Sequence, residues 1–499
     1  MREKGSRSAN VDGGLRWGLQ YMVAALVVAL LAILVAGLFK RKAMNEVDLS
    51  PVSSMLERLK ENDRCNAILA ISPDLEGQLD AIELLPERRS LHGVPVLVKD
   101  NIDVKGMPTT AGSRALLNNH AETDAPVVAN MRTAGALIAG KTNLSEWANF
   151  RSTASTSGWS SVGGLTTNPF DSSCSACGSS SGSGAAVGSR LVDIAIGTET
   201  DGSITCPAAM CGIVGLKPTV GLLSCDGIVP ISASQDTPGP MTRTVRLAAL
   251  ALSAMAGGDS DDYAASLNMG ALEGIRLGVL TPLSGMYDDS VSAAFAAARG
   301  TLERAGAILV EIHDLPNLRE ISRLEWQILL REFKRDLNVY LSGRPPSVTT
   351  RTLADIIAYN KSHASIMMPH FGQEIFEQSE ETEGGDDPEL PGLVAKAKRL
   401  AGREGIDRLL AENQCEALIA PTTGRAFAIN LEGGDEFQGA CTTLPAVSGY
   451  PHLTVPMGKA DGLPVGLSFM GPEFSEARLL AMGFAFEQAR RKEPSLTAK

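Results

Sequence analysis

Two glycine- and serine-rich stretches carry the residues best suited to chemistry. The first is Cys177-Gly-Ser-Ser-Ser-Gly-Ser-Gly184, and the second is Gly197-Thr-Glu-Thr-Asp-Gly-Ser-Ile-Thr-Cys-Pro207; both fall in the span from Asn168 to Thr219. Glycine at this density adds entropy to the unfolded chain and packs nothing, so it makes a poor core. A linker could share the composition, but these loops are bounded by an alanine-rich helical segment and by the strand-like Asp193-Ile-Ala-Ile196. The second loop runs off that strand towards Pro207, a residue that suits the first turn of a helix. Ser203 would then sit beside free backbone N–H groups, as the oxyanion of an acyl-transfer reaction requires.

A serine needs a base, and the residues leave two routes open. Gly178-Ser-Ser-Ser-Gly182 matches G-x-S-x-G, the nucleophile elbow that would make Ser180 reactive. An elbow should follow a strand directly, whereas Asp171 to Cys177 is polar and turn-like, and its histidine would have to be His313, His363, His370 or His452. The other route is Lys99, which ends the apolar run Val94-Pro-Val-Leu-Val98. Buried there, its ammonium would be disfavoured and the neutral amine could accept a proton; at a solvent-facing strand end it would stay charged. The cysteine pairs Cys174/Cys177 and Cys206/Cys211 have tempting spacings but no second ligand pair or histidine beside them, so small buried thiols are expected and no metal.

Around these residues the chain alternates short apolar runs with helical segments. Val94–Val98 is followed by helical Val127–Ala134 and the run Ala136–Ala139; Ile275–Leu280 is followed by helical Ser290–Arg304 and the run Ala307–Ile312. That order predicts an α/β/α sandwich on a large mixed, mainly parallel sheet. Residues 374–389 are rich in Glu and Asp and read as a solvated surface insertion. With 44% hydrophobic and 20% charged residues in 499, the composition is that of a globular protein, and the net charge of −12 argues against a general nucleic-acid binder.

The N-terminus carries an uncharged run, Tyr21 to Phe39, long enough as a helix to span about 28 Å of hydrocarbon. Lys40-Arg41-Lys42 follows at once. The expectation is a single-pass membrane anchor, with a cleaved signal peptide as the rival and the side of the membrane open. The domain plan is therefore a tail and anchor at 1–42, a linker and amphipathic helix at 43–65, and one catalytic domain at 66–495.

The segment from Cys177 to Thr219 resembles the signature of the amidase signature family, and the resemblance extends over most of residues 50–495. Supporting blocks are Gly93-Val-Pro-Val-Leu-Val-Lys-Asp-Asn101, Gly140-Lys-Thr-Asn-Leu-Ser-Glu-Trp147, Gly239-Pro-Met-Thr-Arg243 and Gly462 to Gly471. The resemblance implies a Ser–cis-Ser–Lys triad, with Ser203 as nucleophile, Ser179 as the bridging serine after a cis peptide bond, and Lys99 as base. It implies an oxyanion hole from the N–H groups of Thr200, Asp201, Gly202 and Ser203, and no metal or organic cofactor. Cys177, Ser181 and Asp201 stand where glycines are usual, and Thr205 where arginine is frequent. The variant Thr198-Glu-Thr-Asp-Gly-Ser-Ile204, with Asn143-Leu-Ser-Glu-Trp-Ala-Asn-Phe150, is similar to peptide amidases, which remove the C-terminal carboxamide nitrogen of peptide amides. A membrane-anchored fatty-amide hydrolase, the glutaminase-type component of a tRNA-dependent amidotransferase and a dead scaffold are the alternatives. The expected partner is a small amide or peptide amide, with no nucleic acid; the sequence is silent on oligomeric state.

Overall fold

Short apolar runs become strands, several of them where the sequence marks them. In the computed structural model, which describes residues 62–258 and 262–492 together with Glu57 and Leu59, the strands are β1 Ile68–Ile71, β2 Pro95–Lys99, β3 Leu137–Thr142, β4 Trp159–Ser160, β5 Gly164–Leu165, β6 Ile194–Glu199, β7 Val214–Lys217, β8 Thr237–Thr242, β9 Arg276–Leu280, β10 Ile308–Ile312, β11 Ala417–Pro421, β12 His452–Ala460 and β13 Leu463–Met470. The helices used below are α1 Pro126–Thr133, α2 Ser181–Gly188, α3 Thr205–Met210, α4 Asp289–Arg304, α5 Leu318–Ser342 and α6 Glu374–Glu380. β4 and β5 form a separate ribbon, and the other eleven strands form one sheet in the order β1-β3-β2-β6-β8-β7-β12-β13-β11-β9-β10.

The α/β fold and the mixed sheet are as expected, but the sheet is not mainly parallel. Parallel pairing is confined to two blocks, β3-β2-β6 and β11-β9-β10. Between them every pair is antiparallel, as is the edge pair β1-β3. The reason is connectivity. The parallel blocks arise where helices such as α1 and α4 intervene between strands, whereas β12 and β13 are joined by a tight turn at Asp461-Gly462. Both turn residues have positive φ, 49° and 86°, which suits a hairpin and forces antiparallel strands. β2, β3 and β6 are buried along their whole length, as strands of a covered parallel block should be.

The acidic stretch at 374–389 also differs from its expected role. Ile375 and Phe376 of α6 are buried. Phe376 stacks on Phe333 of α5 at 5.2 Å between ring centroids and meets the edge of Trp147 at 5.7 Å. The acidic residues alternate with an apolar face that composition alone does not reveal. The proposed anchor, Tyr21–Phe39, lies outside the described residues; among those described, no helix is long and apolar enough to cross a membrane. Of the amphipathic segment before Cys65, Leu59 is buried in the core and Glu57 is exposed.

Candidate active site

β2 ends in Lys99, and no part of that side chain meets solvent. Its Nζ lies 2.7 Å from Ser179 Oγ and donates to Thr198 Oγ1 at 2.9 Å and to the Thr198 carbonyl at 3.3 Å. Asn101 Nδ2 also donates to Thr198 Oγ1, at 2.9 Å, which fixes that hydroxyl between the two residues. Burial lowers the Lys99 pKa to about 7, with the carboxyls of Asp236 and Glu199 opposing the shift in part. A neutral amine at this place has a lone pair available for the Ser179 proton.

The first Gly/Ser loop brings Ser179 there. The Gly178–Ser179 peptide bond is cis, and both Ser179 and Ser180 are fully buried. Gly178 is needed because a Cβ there would lie 2.2 Å from Ser145 Oγ. The Ser179 carbonyl accepts from Ser145 N–H at 3.0 Å, and Ser180 N–H donates to the Ser203 carbonyl at 3.1 Å, so the two loops are tied together directly. Two departures from the usual motif answer each other: Ser181 Oγ donates to the Cys177 carbonyl at 2.6 Å, holding a residue whose φ is +62°.

The second loop is set by Glu199, a residue that no sequence motif singled out. Its Oε2 accepts the N–H groups of Ile204 and Thr205 at 2.7 and 2.8 Å, so it caps the start of α3 as a side-chain acceptor. Thr205 Oγ1 donates to the same oxygen at 3.1 Å. Among the described residues, the N–H groups of Thr200, Asp201, Gly202 and Ser203 find no such acceptor. Gly202 has φ +79°, the left-handed conformation glycine adopts freely. Ser203 lies in the wall of a cavity of about 490 Å³, beside Gly178, Thr200 and Asp201.

The elbow alternative is not built. Ser180 Oγ donates to the Thr198 carbonyl at 3.1 Å and accepts the Thr198 N–H at 3.2 Å. The histidines named for it are engaged elsewhere: His452 Nε2 pairs with Ser468 Oγ at 2.5 Å, His363 Nδ1 with the Tyr359 carbonyl, and His370 packs on Trp159, while His313 is exposed. The thiols are small buried groups as expected, with two differences: Cys174 is half-buried and Cys225 exposed. Among the described residues, no group of three or more His, Cys, Asp or Glu side chains is arranged to hold a metal ion.

Residues 51–480 match the family model for amidase. The chain belongs to the amidase family. A probable amidase of Arabidopsis thaliana is 39% identical over 92% of this chain and 91% of its own length. A glutamyl-tRNA(Gln) amidotransferase subunit of Salinispora arenicola is 34% identical over 93% and 98%. Among solved structures, native peptide amidase from Stenotrophomonas maltophilia superposes with a TM-score of 0.84 at 44% identity, covering 92% of this chain and 97% of that one.

The rest of the amidase cavity comes from distant parts of the chain. Ala148, Asn149 and Phe150 follow Trp147, which packs behind them; Ile231, Leu329, Asp435, Phe437, Thr442 and Thr443 complete the opposite walls. Nothing local in the sequence marks the last six, because each is an ordinary loop or helix residue until the fold brings it to the cavity. The 147–153 loop is braced from below. Arg151 is fully buried, paired with Glu146, with Nη1 donating to the Met367 carbonyl at 2.6 Å and the guanidinium 4.3 Å from the Phe371 ring centroid. Glu374 of α6 accepts from Ser152 Oγ and from Thr153 N–H, at 2.9 and 2.6 Å. Replacing Arg151 by alanine strands the Glu146 carboxylate in the interior, and a loss of about 3–5 kcal/mol is expected. Urea unfolding measures it, and Arg151→Lys should recover little, since one ammonium cannot reproduce the planar fork.

Proposed function

We propose that this amidase hydrolyses the terminal carboxamide of peptide amides through a Ser203–Ser179–Lys99 relay. The observation that carries the reading is the 2.7 Å contact between a fully buried Lys99 Nζ and Ser179 Oγ, on a loop bonded to the one bearing Ser203. Neutral Lys99 takes the Ser179 proton as Ser179 takes the Ser203 proton, and Ser203 Oγ bonds to the amide carbon. The N–H groups of Thr200 to Ser203 receive the charge that forms on the carbonyl oxygen. The relay then runs backwards and protonates the nitrogen, so that ammonia and not an amide anion leaves. Water enters, gives a proton to the same relay and attacks the acyl carbon; the ester C–O bond breaks, giving the acid and Ser203 restored.

The substrate class rests on likeness to peptide amidases and on the wall of the cavity. Phe150, Ile231, Leu329 and Phe437 offer apolar surface, and serine and threonine hydroxyls lie between them. Such a mixed wall suits a short peptide better than an acyl chain, whose whole length needs apolar surroundings. The kcat/KM of a dipeptide amide is expected to exceed that of oleamide, and that of internal cleavage in the same dipeptide extended by one residue, by about a hundredfold or more. Oleamide as the better substrate, or internal cleavage of the longer peptide, overturns the assignment.

The similarity to the glutamyl-tRNA(Gln) amidotransferase subunit favours a second reading, glutamine as amide donor. Free glutamine brings a carboxylate, and no Lys, Arg or His stands among the described residues lining the cavity. Ammonia release from glutamine at a rate matching the dipeptide amide would favour that reading instead.

A further inference from the structure

A carboxyl group on the cavity wall beside Ser203 is backed by a second, buried one. Asp201 lines the cavity from the loop after β6. Glu325, buried on α5, places its carboxyl in side-chain contact with that of Asp201. Gln235 Nε2 donates to Glu325 Oε1 at 2.8 Å, and Thr443 Oγ1 donates to Asp201 Oδ2 at 3.4 Å, while the buried Oδ1 of Asp201 receives no donor among the described residues. Two carboxyl groups in contact do not both ionise readily, so the pair holds one proton and one negative charge near neutrality. Burial raises both carboxyls above the usual carboxylate range, and Asp201 is the member of the pair that lines the cavity. The other titratable groups that interact with Asp201 are Glu199, Cys206, Cys441 and Lys217. Asp435 adds a second acidic side chain to the wall, its carboxyl accepting Ser157 N–H at 3.0 Å.

We propose that Asp201, backed by Glu325, selects a neutral carboxamide over a carboxylate at the reacting end of the substrate and so drives out the acid product. The inference rests on the proposed hydrolysis at Ser203. Substrate and product differ there by one group: –CONH₂ is neutral, and –COO⁻ carries a charge at the atom that has just left Ser203 Oγ. A like charge on Asp201, two residues away in the same loop, disfavours the second and not the first. The same repulsion that an acidic side chain beside an oxyanion hole exerts on the transition state falls on the ionised product too, and there it speeds release.

Calorimetric binding to the Ser203→Ala enzyme tests this without turnover, using a peptide amide and the same peptide as its free acid at pH 8. The amide is expected to bind at least about tenfold more tightly. Adding Asp201→Asn should close most of that gap by strengthening acid binding, whereas adding Glu325→Gln, which leaves Asp201 charged, should keep it. A measurement needing no further variant is the same comparison at pH 5: Asp201 is protonated below about 6 while the peptide carboxyl, near 3.5, stays ionised, so the gap should narrow. An acid bound as tightly as the amide at pH 8, or a gap indifferent to both Asp201→Asn and pH, overturns the inference. Turnover of the peptide amide by the unaltered enzyme, run in parallel, separates the two claims: turnover with no such gap sinks the selection by Asp201 alone, and absence of turnover sinks the proposed hydrolysis with it.

Discussion

Ser203→Ala is expected to lower kcat for peptide-amide hydrolysis by about four to six orders of magnitude, the scale seen when a covalent nucleophile is removed. The fold should be untouched, because Ser203 contributes its carbonyl to the Ser180 N–H bond and its side chain only to the cavity wall. A fluorophosphonate should therefore label the unaltered protein at Ser203, as read by peptide mapping, and leave the variant unlabelled. Label found at Ser180 would contradict the assignment. That serine is fully buried with its hydroxyl committed to Thr198, so its labelling would require the loop to open.

Lys99 should be nearly as sensitive. Losing a general base costs about 10²–10⁴ in rate, and here the same group must also return the proton to the leaving nitrogen, so Lys99→Ala is expected near the upper end. Lys99→Arg should do no better, since guanidinium stays charged and its bulk has no room in a site with no solvent contact. Lys99→Met, close to it in shape, separates chemistry from folding: activity is lost while thermal stability is kept. The pH dependence has a definite sign. The reactive form of Lys99 is the neutral one, and its pKa lies near 7, so kcat/KM should rise tenfold per pH unit below that value and level off above it. A rate that falls as pH rises through 7, or a fully active Lys99→Ala enzyme, would refute the role.

Much of the candidate site's layout could be read from the chain because its residues lie on local signals. Lys99, Ser179 and Ser203 each sit at the end of a recognisable apolar strand or within a Gly/Ser loop, and the cis bond before Ser179 is where the resemblance puts it. Glu199 carries no such signal: it stands five residues before the N–H it accepts, outside the positions that mark a helix start in sequence. Asp236, Glu325 and Asp435 carry none. Their roles depend on burial beside groups far away in sequence, and a lone acidic residue on a helix or loop reads as a solvated one. The sheet departs from expectation for a similar reason. Alternating strand and helix signals dominate at residues 94–142 and 275–312, but the Asp461-Gly462 pair between two apolar runs is the hairpin marker that fixes the antiparallel middle.

The cavity wall has a division of labour with consequences for change over generations. The groups proposed to make and break bonds all fall between Lys99 and Ser203, whereas Leu329, Asp435, Phe437, Thr442 and Thr443, which line the cavity, lie well beyond them in the chain, between residues 329 and 443. Mutations in that later stretch can reshape the substrate without disturbing the proton relay. An amide hydrolase arranged in this way can drift from one amide to another while its reactive machinery stays fixed, and chimeras exchanging residues 326–443 between relatives would carry the substrate preference with them.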